Sequence, residues 1–415
     1  MRRYIKKIIK NSPSFIKKIA VISYETYFRY VCLIKEAKEH IKNSGKSNTK
    51  NSKKRVLIYH LTGLNIGGTE KSLQFVANNL CDDFDVFFLY SSKNTKHSRL
   101  NHMNKKITFI ECDYDYTEPK YPFYIKNMRP HIKNAIEENN IDIMITATSG
   151  YTQYPIITIS NIPIIIVNIF GSPTLQKNII ASVFVSNTVQ KMAEVYTGPQ
   201  AGHASLYIPV IEPPIDAREQ AQKIRANFNL NDTDFVFGRV GRNTDEIFDP
   251  IGIRAFQKVV KEYPAAHYII MSPSPTTEKI VKEDNIPNVH FLPPSGEELD
   301  LWGFYFSIDC LAHFRLDGET LGLNIGEAMY AGKPVISHKS YIFNAHTEYL
   351  DKSFARVSEI NDIDGYASYM KEFIEIRKHD PKRWSDMQKI AHDTSKRDFS
   401  QEKYVEHFKN IIKKI

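Results

Sequence analysis

Residues 308–338 read IDCLAHFRLDGETLGLNIGEAMYAGKPVISH, and this stretch predicts a strand, a helix and a second strand in that order. Residues 308–313 and 334–338 are short runs rich in apolar side chains, which is typical of buried strands. Between them, Thr320 is a suitable N-cap for a helix over residues 321–331. Strands that are apolar almost throughout and are joined by a helix favour a parallel sheet covered on both faces. We therefore expect a βαβ unit here.

The same alternation extends over most of the chain. Strands are predicted over residues 56–61, 84–90, 107–111, 141–147, 162–169, 181–186, 235–240, 267–271 and 289–292, and helices over 69–80, 124–139, 188–196 and 250–262. The segment 208–214 holds three prolines, which break regular structure and mark a crossing between domains. Two doubly wound α/β domains that face a cleft are therefore expected, with ligands beyond the carboxyl ends of their strands.

Length and composition fit a folded protein of more than one domain. A chain of 415 residues exceeds a single ordinary core, so two or three folding units are expected. Hydrophobic residues make up 42% and charged residues 25% of the chain, which excludes a disordered or fibrous protein. The four cysteines lie far apart without metal-ligand spacing, so they favour reduced thiols in a cytosol-facing protein over a structural zinc site.

Basic residues are concentrated at the amino terminus. Residues 1–55 contain 16 lysines and arginines and 3 glutamates, whereas the remainder has 39 basic and 44 acidic residues. Residues 15–34 are mostly apolar or aromatic, but charges interrupt them, which disfavours a transmembrane span. We expect residues 1–52 to be a basic amphipathic extension that ends in a polar linker over 43–52. Residues 1–42 either bind an anionic membrane surface or form a solvated basic helix on the protein's own surface, and no nucleic-acid partner is expected.

Two acids stand in the apolar segment quoted above. Glu319 and Glu327 are eight residues apart, which corresponds to ~12 Å along a helix. The amides of residues 320–323 would lie between them at a helix N-terminus, where a diphosphate is favoured. The two carboxylates are therefore candidates for accepting hydrogen bonds from both ends of a sugar nucleotide. The alternative is that Glu319 only starts the helix and Glu327 is an ordinary helix acid, although the apolar neighbours of Glu327 imply that it needs a partner.

The spacing and context of these acids resemble the retaining nucleotide-sugar glycosyltransferases of family 4, which have the GT-B fold. The resemblance lies in ETLGL starting at Glu319, EAM starting at Glu327 and GKPVI starting at Gly332. It implies that Glu327 binds the ribose hydroxyls of the donor and that Glu319 is a catalytic-site residue that contacts the hexose. It also implies contacts to sugar and phosphate from the backbone amides of three residues, Thr320, Leu321 and Gly322.

Two further segments carry this resemblance. GGTE follows the first predicted strand and opens a helix, as the family's glycine loop does, so Gly67, Gly68 and Thr69 are candidates for contacting a phosphate or the acceptor. Arg242 ends the first strand of the second domain and looks like the family's diphosphate-binding arginine. A guanidinium fork suits that role.

The sequence departs from the family at two positions. The lysine expected five residues after Arg242 is replaced by Ile247. Arg239 or Arg254 would then have to supply the second cation that holds the donor diphosphate. The histidine expected after the strand near residue 145 is also absent.

A metal is not expected. Asp113-Tyr114-Asp115 matches the Asp-x-Asp by which another glycosyltransferase fold holds a divalent ion, but the surrounding architecture differs. The resemblance implies no cofactor, with a nucleotide-diphosphate sugar as substrate. Arg242 and helix-terminal amides would stabilise the leaving group, which is an electrostatic device that needs no ion.

Domain boundaries follow from the proline-rich crossing and the resemblance. Residues 53–211 are expected to form an N-terminal Rossmann-like acceptor domain, 212–395 a C-terminal Rossmann-like nucleotide-sugar domain, and 396–415 a helix that packs back toward the N-terminal domain. The resemblance implies transfer of a hexose to an acceptor, with retention. The basic amino terminus favours a glycan or lipid-linked acceptor at a membrane, so a cytoplasmic protein peripheral to a membrane is expected. The alternative is a catalytically degenerate GT-B protein that binds glycans or acts as a membrane-docked scaffold.

Overall fold

The computed structural model describes residues 53–60, 63–65, 67–94, 99–113, 124–148, 156, 159, 161–172 and 176–415. The extension predicted over residues 1–52 lies outside these ranges. None of the helices within them is both long and apolar enough to cross a membrane.

A parallel sheet of seven strands forms the first domain. Its strands are β1 (Arg55–Tyr59), β2 (Asp85–Ser91), β3 (Thr108–Cys112), β4 (Ile143–Thr148), β5 (Ile164–Asn168), β6 (Ile179–Phe184) and β7 (His203–Ser205). Helices α1 (Gly68–Leu80), α2 (Tyr124–Glu138) and α3 (Asn187–Thr197) connect and cover them. The strand order is β3-β2-β1-β4-β5-β6-β7.

The residues of β1 show why helices cover both faces of this sheet. Val56 and Ile58 pack into the apolar core on one face, whereas Leu57 and Tyr59 pack into the core on the other. None of the four is more than 3% exposed. A strand without a polar side must be covered on both faces, as the apolar runs predicted. The prediction of doubly wound α/β domains is confirmed.

The second domain is built on a parallel sheet of six strands. In chain order its elements are α4 (Ala217–Asn227), β8 (Phe235–Val240), α5 (Ile251–Glu262), β9 (Ala266–Met271), α6 (Pro275–Glu283), β10 (Val289–Leu292), α7 (Glu298–Ser307), β11 (Cys310–Ala312), β12 (Gly318–Glu319), α8 (Leu323–Tyr330), β13 (Val335–His338), β14 (Phe343–Asn344), β15 (Ala355–Ser358) and α9 (Ile363–His379). The sheet order is β10-β9-β8-β11-β13-β15, and β12 pairs with β14 in a separate parallel ribbon.

The last two helices, α10 (Pro381–Asp398) and α11 (Gln401–Lys413), return the chain to the first domain. The hydroxyl oxygens of Ser72 on α1 and Tyr404 on α11 are 2.9 Å apart. Lys409 Nζ lies 2.5 Å from Asp83 Oδ2 just after α1. Helix α11 therefore packs on the first domain, although α10 packs on the second.

The strand order reverses between β1 and β4 in one sheet and between β8 and β11 in the other. In open α/β sheets the crevice at such a point, beyond the carboxyl ends of the strands, is where ligands bind. The loop after β1 leads to Gly67 and α1, and the loops after β8 and β11 begin at Gly241 and His313. These loops locate the candidate site.

The prediction that Thr320 caps a helix from residue 321 is wrong. Helix α8 begins at Leu323, and its N-cap is Gly322, in the left-handed region at φ +83°. Glycine adopts this conformation without the steric cost that a Cβ imposes. Because Glu319 belongs to β12, the chain must turn between the ribbon and the helix, and Gly322 permits that turn.

Candidate functional site

Glu319 is fixed on the ribbon of β12 and β14. The preceding residue, Gly318, has φ +72°, and a Cβ there would lie 1.8 Å from the carbonyl oxygen of Phe343. A side chain at Gly318 would therefore force the two strands apart. The carboxylate of Glu319 depends on this close backbone approach for its position.

The Glu319 carboxylate is buried beside imidazoles and a guanidinium. Its Oε1 is 3.1 Å from Nε2 of His313, and its Oε2 is 3.5 Å from Nη1 of Arg315. The His313 contact is short but lies outside full hydrogen-bond geometry. Burial opposes ionisation, but His313, Arg315 and His346 outweigh it and lower the pKa of Glu319 to about 2. Glu319 is therefore an ionised acceptor at neutral pH.

Asn324, in the first turn of α8, orients His313. Its side-chain nitrogen donates to the carbonyl of Val240 at 3.0 Å and lies 3.3 Å from Nδ1 of His313. Because the amide N–H donates, Nδ1 accepts, and the imidazole proton is on Nε2, facing Glu319. Asn324 thus joins helix α8 to the ends of both switch-point strands, β8 and β11.

Two more histidines, His338 and His346, support the loop that follows β11 and carries His313 and Arg315. His338 accepts the backbone N–H of Arg315 at 3.2 Å, and its Nδ1–H donates to the carbonyl of Lys339 at 2.8 Å. His346 donates Nε2–H to the carbonyl of His338 at 3.1 Å. Burial lowers the pKa of His338, and burial with a neighbouring imidazole lowers that of His346 to about 4. Both rings are neutral at pH 7, where they act as hydrogen-bonding spacers. His346 carries a charge only below about pH 4, which is the range in which it acts on the ionisation of Glu319.

The turn between β12 and α8 presents unbonded backbone amides. None of the N–H groups of Thr320, Leu321 and Gly322 donates to another described residue. The hydroxyl of Tyr349 holds the turn by donating to the carbonyl of Leu321 at 2.5 Å. Free amides at the start of a helix favour an anion.

The two arginines of the β8 segment differ in environment. Arg242 is exposed just beyond the strand. Arg239 is only 3% exposed, and its guanidinium carbon lies 4.9 Å from the ring centre of Phe314. Its Nε has no hydrogen-bond partner among the described residues. Burial lowers the pKa of Arg239, but a guanidinium stays protonated at neutral pH. No described carboxylate forms an ion pair with it, and Glu319 acts on it only through space.

Arg239 and Arg254 were the two candidates to replace the missing lysine, and the structure shows that their environments differ. Ile247 is buried and can offer no charge. Arg254, on α5, forms an ion pair with Asp284 and donates to Gln257 at 3.1 Å. Arg239 lies near Glu319, whose negative charge acts on it through space. Arg239 is therefore the better placed of the two.

Glu327 is bonded by residues from both domains. Its Oε1 is 2.7 Å from Nζ of Lys71 on α1, and its Oε2 accepts the hydroxyl of Tyr305 on α7 at 2.8 Å. The side chain of Glu327 is 5% exposed. The sequence correctly implied that this acid needs a partner, but the partner comes from the other domain.

The glycine loop lies next to the contact between Lys71 and Glu327. Gly67 is the N-cap of α1, and Gly68 and Thr69 begin its first turn. The backbone N–H of Lys71 closes that turn by donating to the carbonyl of Gly67 at 2.8 Å. Since Lys71 touches Glu327, the amino-terminal turn of α1 lies against α8 of the second domain.

The Asp-x-Asp segment lies only partly within the described residues. The side chain of Asp113 is 85% exposed, and its Oδ2 lies 3.8 Å from Nζ of Lys93. This carboxylate therefore does not have the burial of a side chain that holds a metal ion. Among the residues that the structure describes, no group of three or more acids, histidines or cysteines could hold a metal ion.

Two surface hollows, of about 420 and 590 Å³, lie away from these side chains. The smaller lies between α5 and α9, and the larger between the proline-rich crossing and α10. Neither is lined by Glu319 or Glu327. The candidate site is therefore defined by side-chain chemistry at the cleft between the domains, and neither of these two hollows belongs to it.

Sequence reasoning missed Lys71, Tyr305, His313, Arg315 and Asn324. One signal was available for Lys71, because a lysine so near a helix N-terminus opposes the helix dipole and favours an acidic partner elsewhere. His313 and Arg315 directly follow a strand at the switch point, where ligand-binding residues concentrate. Tyr305 and Asn324 carried no such signal.

Comparison with known proteins agrees with this architecture. Residues 220–389 match the family model described as "Glycosyl transferases group 1". No curated protein matches the chain by sequence. A solved glycosyltransferase from Rickettsia africae ESF-5 has 16% identity and a TM-score of 0.67, over 88% of this chain and 99% of that one.

Two other solved structures are similar. Sucrose-phosphate synthase from Thermosynechococcus elongatus has 13% identity and a TM-score of 0.67, over 87% of this chain and 98% of that one. HepE from Anabaena, solved in complex with UDP and glucose, has 14% identity and a TM-score of 0.63, over 88% of this chain and 100% of that one. At such identities the likeness is one of fold. The chain therefore has the GT-B glycosyltransferase fold, and its second domain matches the group 1 glycosyl transferases over residues 220–389.

Proposed function

We propose that this protein transfers a hexose from a nucleotide-diphosphate sugar to an acceptor bound between the two domains. The observation that carries the proposal is the buried guanidinium of Arg239, which lies against Phe314 beside the switch point. A buried charge without a counterion is costly. A bound diphosphate would supply the missing negative charge.

Other groups beyond the same switch point suit a diphosphate. Arg242 follows the end of β8 by two residues and is exposed. The unbonded amides of residues 320–322 precede helix α8, and an anion there gains from both hydrogen bonds and the helix dipole. Fixed donors and cations of this kind would stabilise the charge that develops on the leaving diphosphate without a metal ion.

Glu319 and Glu327 would contact the two sugars of the donor. Glu319 is ionised and faces the same loop as the amides, so it would accept hydroxyl hydrogen bonds from the hexose. Glu327 would accept those of the ribose, as the resemblance to family 4 implies. Retention would follow the same-face displacement of that family, in which the leaving phosphate helps to deprotonate the acceptor and no protein nucleophile is required. Closure of the domains would exclude water.

The donor and acceptor classes are proposals from similarity. HepE was solved with UDP and glucose, so UDP-glucose is the first donor to test. The basic extension favours a glycan or lipid-linked acceptor at the cytoplasmic face of a membrane, with residues 1–42 on anionic lipid. Unchanged sedimentation with anionic vesicles after removal of residues 1–50 would contradict this location.

Thermal stabilisation by UDP-, GDP-, ADP- and TDP-sugars tests the proposed donor site. A ligand of the native state at a hundredfold excess over Kd stabilises by about 2.7 kcal/mol, which raises Tm by about 5–10 °C in domains of this size. We expect one nucleotide series to produce this shift, and Glu327→Gln to lose most of it. Release or transfer of the sugar then separates an enzyme from a glycan-binding protein. No shift with any series would favour the degenerate alternative.

The same assay applied to Arg239→Met tests the observation that carries the proposal. Removal of an uncompensated buried charge should leave the Tm of the free protein equal or higher, while the shift with the donor disappears. Arg254→Met is the matched control, since it removes an arginine that is already paired with Asp284. A full donor shift in Arg239→Met would show that the diphosphate does not bind there.

A further inference from the structure

Lys71 connects the first domain directly to Glu327. Its Nζ is 2.7 Å from Glu327 Oε1 and 3.1 Å from Glu298 Oε2. The exposed fractions of the Lys71 and Glu327 side chains are 12% and 5%. Water and salt screen an ion pair so shielded much less than one on the surface, and removal of either partner would leave the other charge buried and uncompensated.

A second cation of the first domain completes a balanced cluster. Arg99 donates to Glu298 Oε1 at 3.1 Å and to the carbonyl of Gly296 at 3.2 Å. Burial alone would lower the pKa of Lys71, but Glu327 and Glu298 raise it above its ordinary value. Two cations from one domain therefore face two carboxylates from the other, and these ion pairs persist only while the domains are in contact.

Glu327 keeps room for a ligand while Lys71 is bound. A carboxylate has about four accepting positions, two on each oxygen. Lys71 occupies one position on Oε1, and Tyr305 occupies one on Oε2. No other described residue bonds Glu327, so within the part of the chain that the structure describes one position remains on each oxygen, which is the number that two neighbouring hydroxyls of a ribose require.

We propose that Lys71 is a positioning residue that completes the ribose site when the first domain docks on the second. It holds the Glu327 carboxylate toward the cleft, opposite Tyr305, so that the two remaining positions face the donor. Because Glu327 is 5% exposed in this arrangement, the donor enters while the domains are apart, and Lys71 reaches Glu327 as they close. This proposal rests on the proposed function, since it assigns a role at the same donor site.

Steady-state kinetics of Lys71→Met with the donor found in the thermal assay tests this role. We expect the donor KM to rise at least tenfold, while kcat at saturating donor changes less than threefold. Lys71→Arg keeps the charge and should restore most of the affinity. Lys409→Met is the matched control, because Lys409 makes another ion pair to the first domain, from the C-terminal helix α11 to Asp83, without touching Glu327. Its donor KM should not change.

A double-mutant cycle separates positioning from simple tethering of the domains. If Lys71 acts through Glu327, Lys71→Met should change the donor KM less than twofold in a Glu327→Gln background. A fall in KM in Lys71→Met would mean that Lys71 competes with the ribose, and equal rises in Lys71→Met and Lys409→Met would mean that it only holds the domains together. Either result overturns this proposal but leaves the donor site intact. Failure of the unchanged protein to bind any nucleotide sugar overturns both.

Discussion

Replacing Glu319 by glutamine is expected to lower kcat by about 100- to 1000-fold, the range seen when one preorganised electrostatic group is removed from an active site. The carboxylate is ionised and faces the Nε2–H of His313 and the guanidinium of Arg315. Glutamine offers one oxygen and places an N–H donor against these donors. The hexose would lose its acceptor, and the loop would lose its central negative charge. The measurement is single-turnover transfer at saturating donor.

A matched control distinguishes loss of chemistry from loss of fold. Glu372→Gln removes a carboxylate from an equivalent pair with Arg356, on α9 and β15 away from the cleft. Its turnover should remain within twofold of that of the unchanged protein. Turnover within threefold in Glu319→Gln, with the protein folded, would remove Glu319 from the catalytic site.

Replacing Gly318 by alanine is expected to destabilise the protein by about 3 kcal/mol or more, because the methyl group cannot be accommodated without backbone movement. Its φ is +72°, and the new Cβ would lie 1.8 Å from the Phe343 carbonyl oxygen and 2.1 Å from the Ser340 hydroxyl. The ribbon that holds Glu319 would separate, so transfer activity should be lost as well. Equilibrium denaturation and the transfer assay measure the two effects.

Gly198→Ala provides the comparison for backbone strain alone. Gly198 also has positive φ, +66°, but a Cβ there would meet nothing within 4 Å. Its cost should be only the ~1–2 kcal/mol of a left-handed residue that carries a Cβ. Equal losses of stability at the two glycines would show that the contact with Phe343 does not matter.

The architecture could be predicted because the strands are locally unambiguous. Runs such as β1 and β8 are apolar along their whole length, and only a sheet covered on both faces buries such strands. The ribbon of β12 and β14 could not be predicted. Each of its strands has two residues, too few for any periodic pattern, and their pairing joins segments more than twenty residues apart. The error at Thr320 has the same origin, since the ribbon determines where α8 can begin.

The sequence could single out the two candidate acids but not the residues that contact them. The spacing of Glu319 and Glu327 and the apolar surroundings of Glu327 were visible in one helix-sized window. The lysine that bonds Glu327 lies 256 residues away on the other domain. No local pattern reports such a contact, because it arises only when two separately folded sheets face each other.

The sequence by itself determined the two doubly wound domains, the crossing between them and the positions of the two acids, because burial and backbone preference act over a few neighbouring residues. The tertiary structure alone decided that Arg239 is buried without a close counterion among the described residues, that His313 and Arg315 keep Glu319 ionised, and that Lys71 and Tyr305 hold Glu327. The physical reason is that the interaction energy of each charged group depends on its solvent exposure and on the groups packed around it. Many of these groups are distant in sequence, so only the folded chain specifies them.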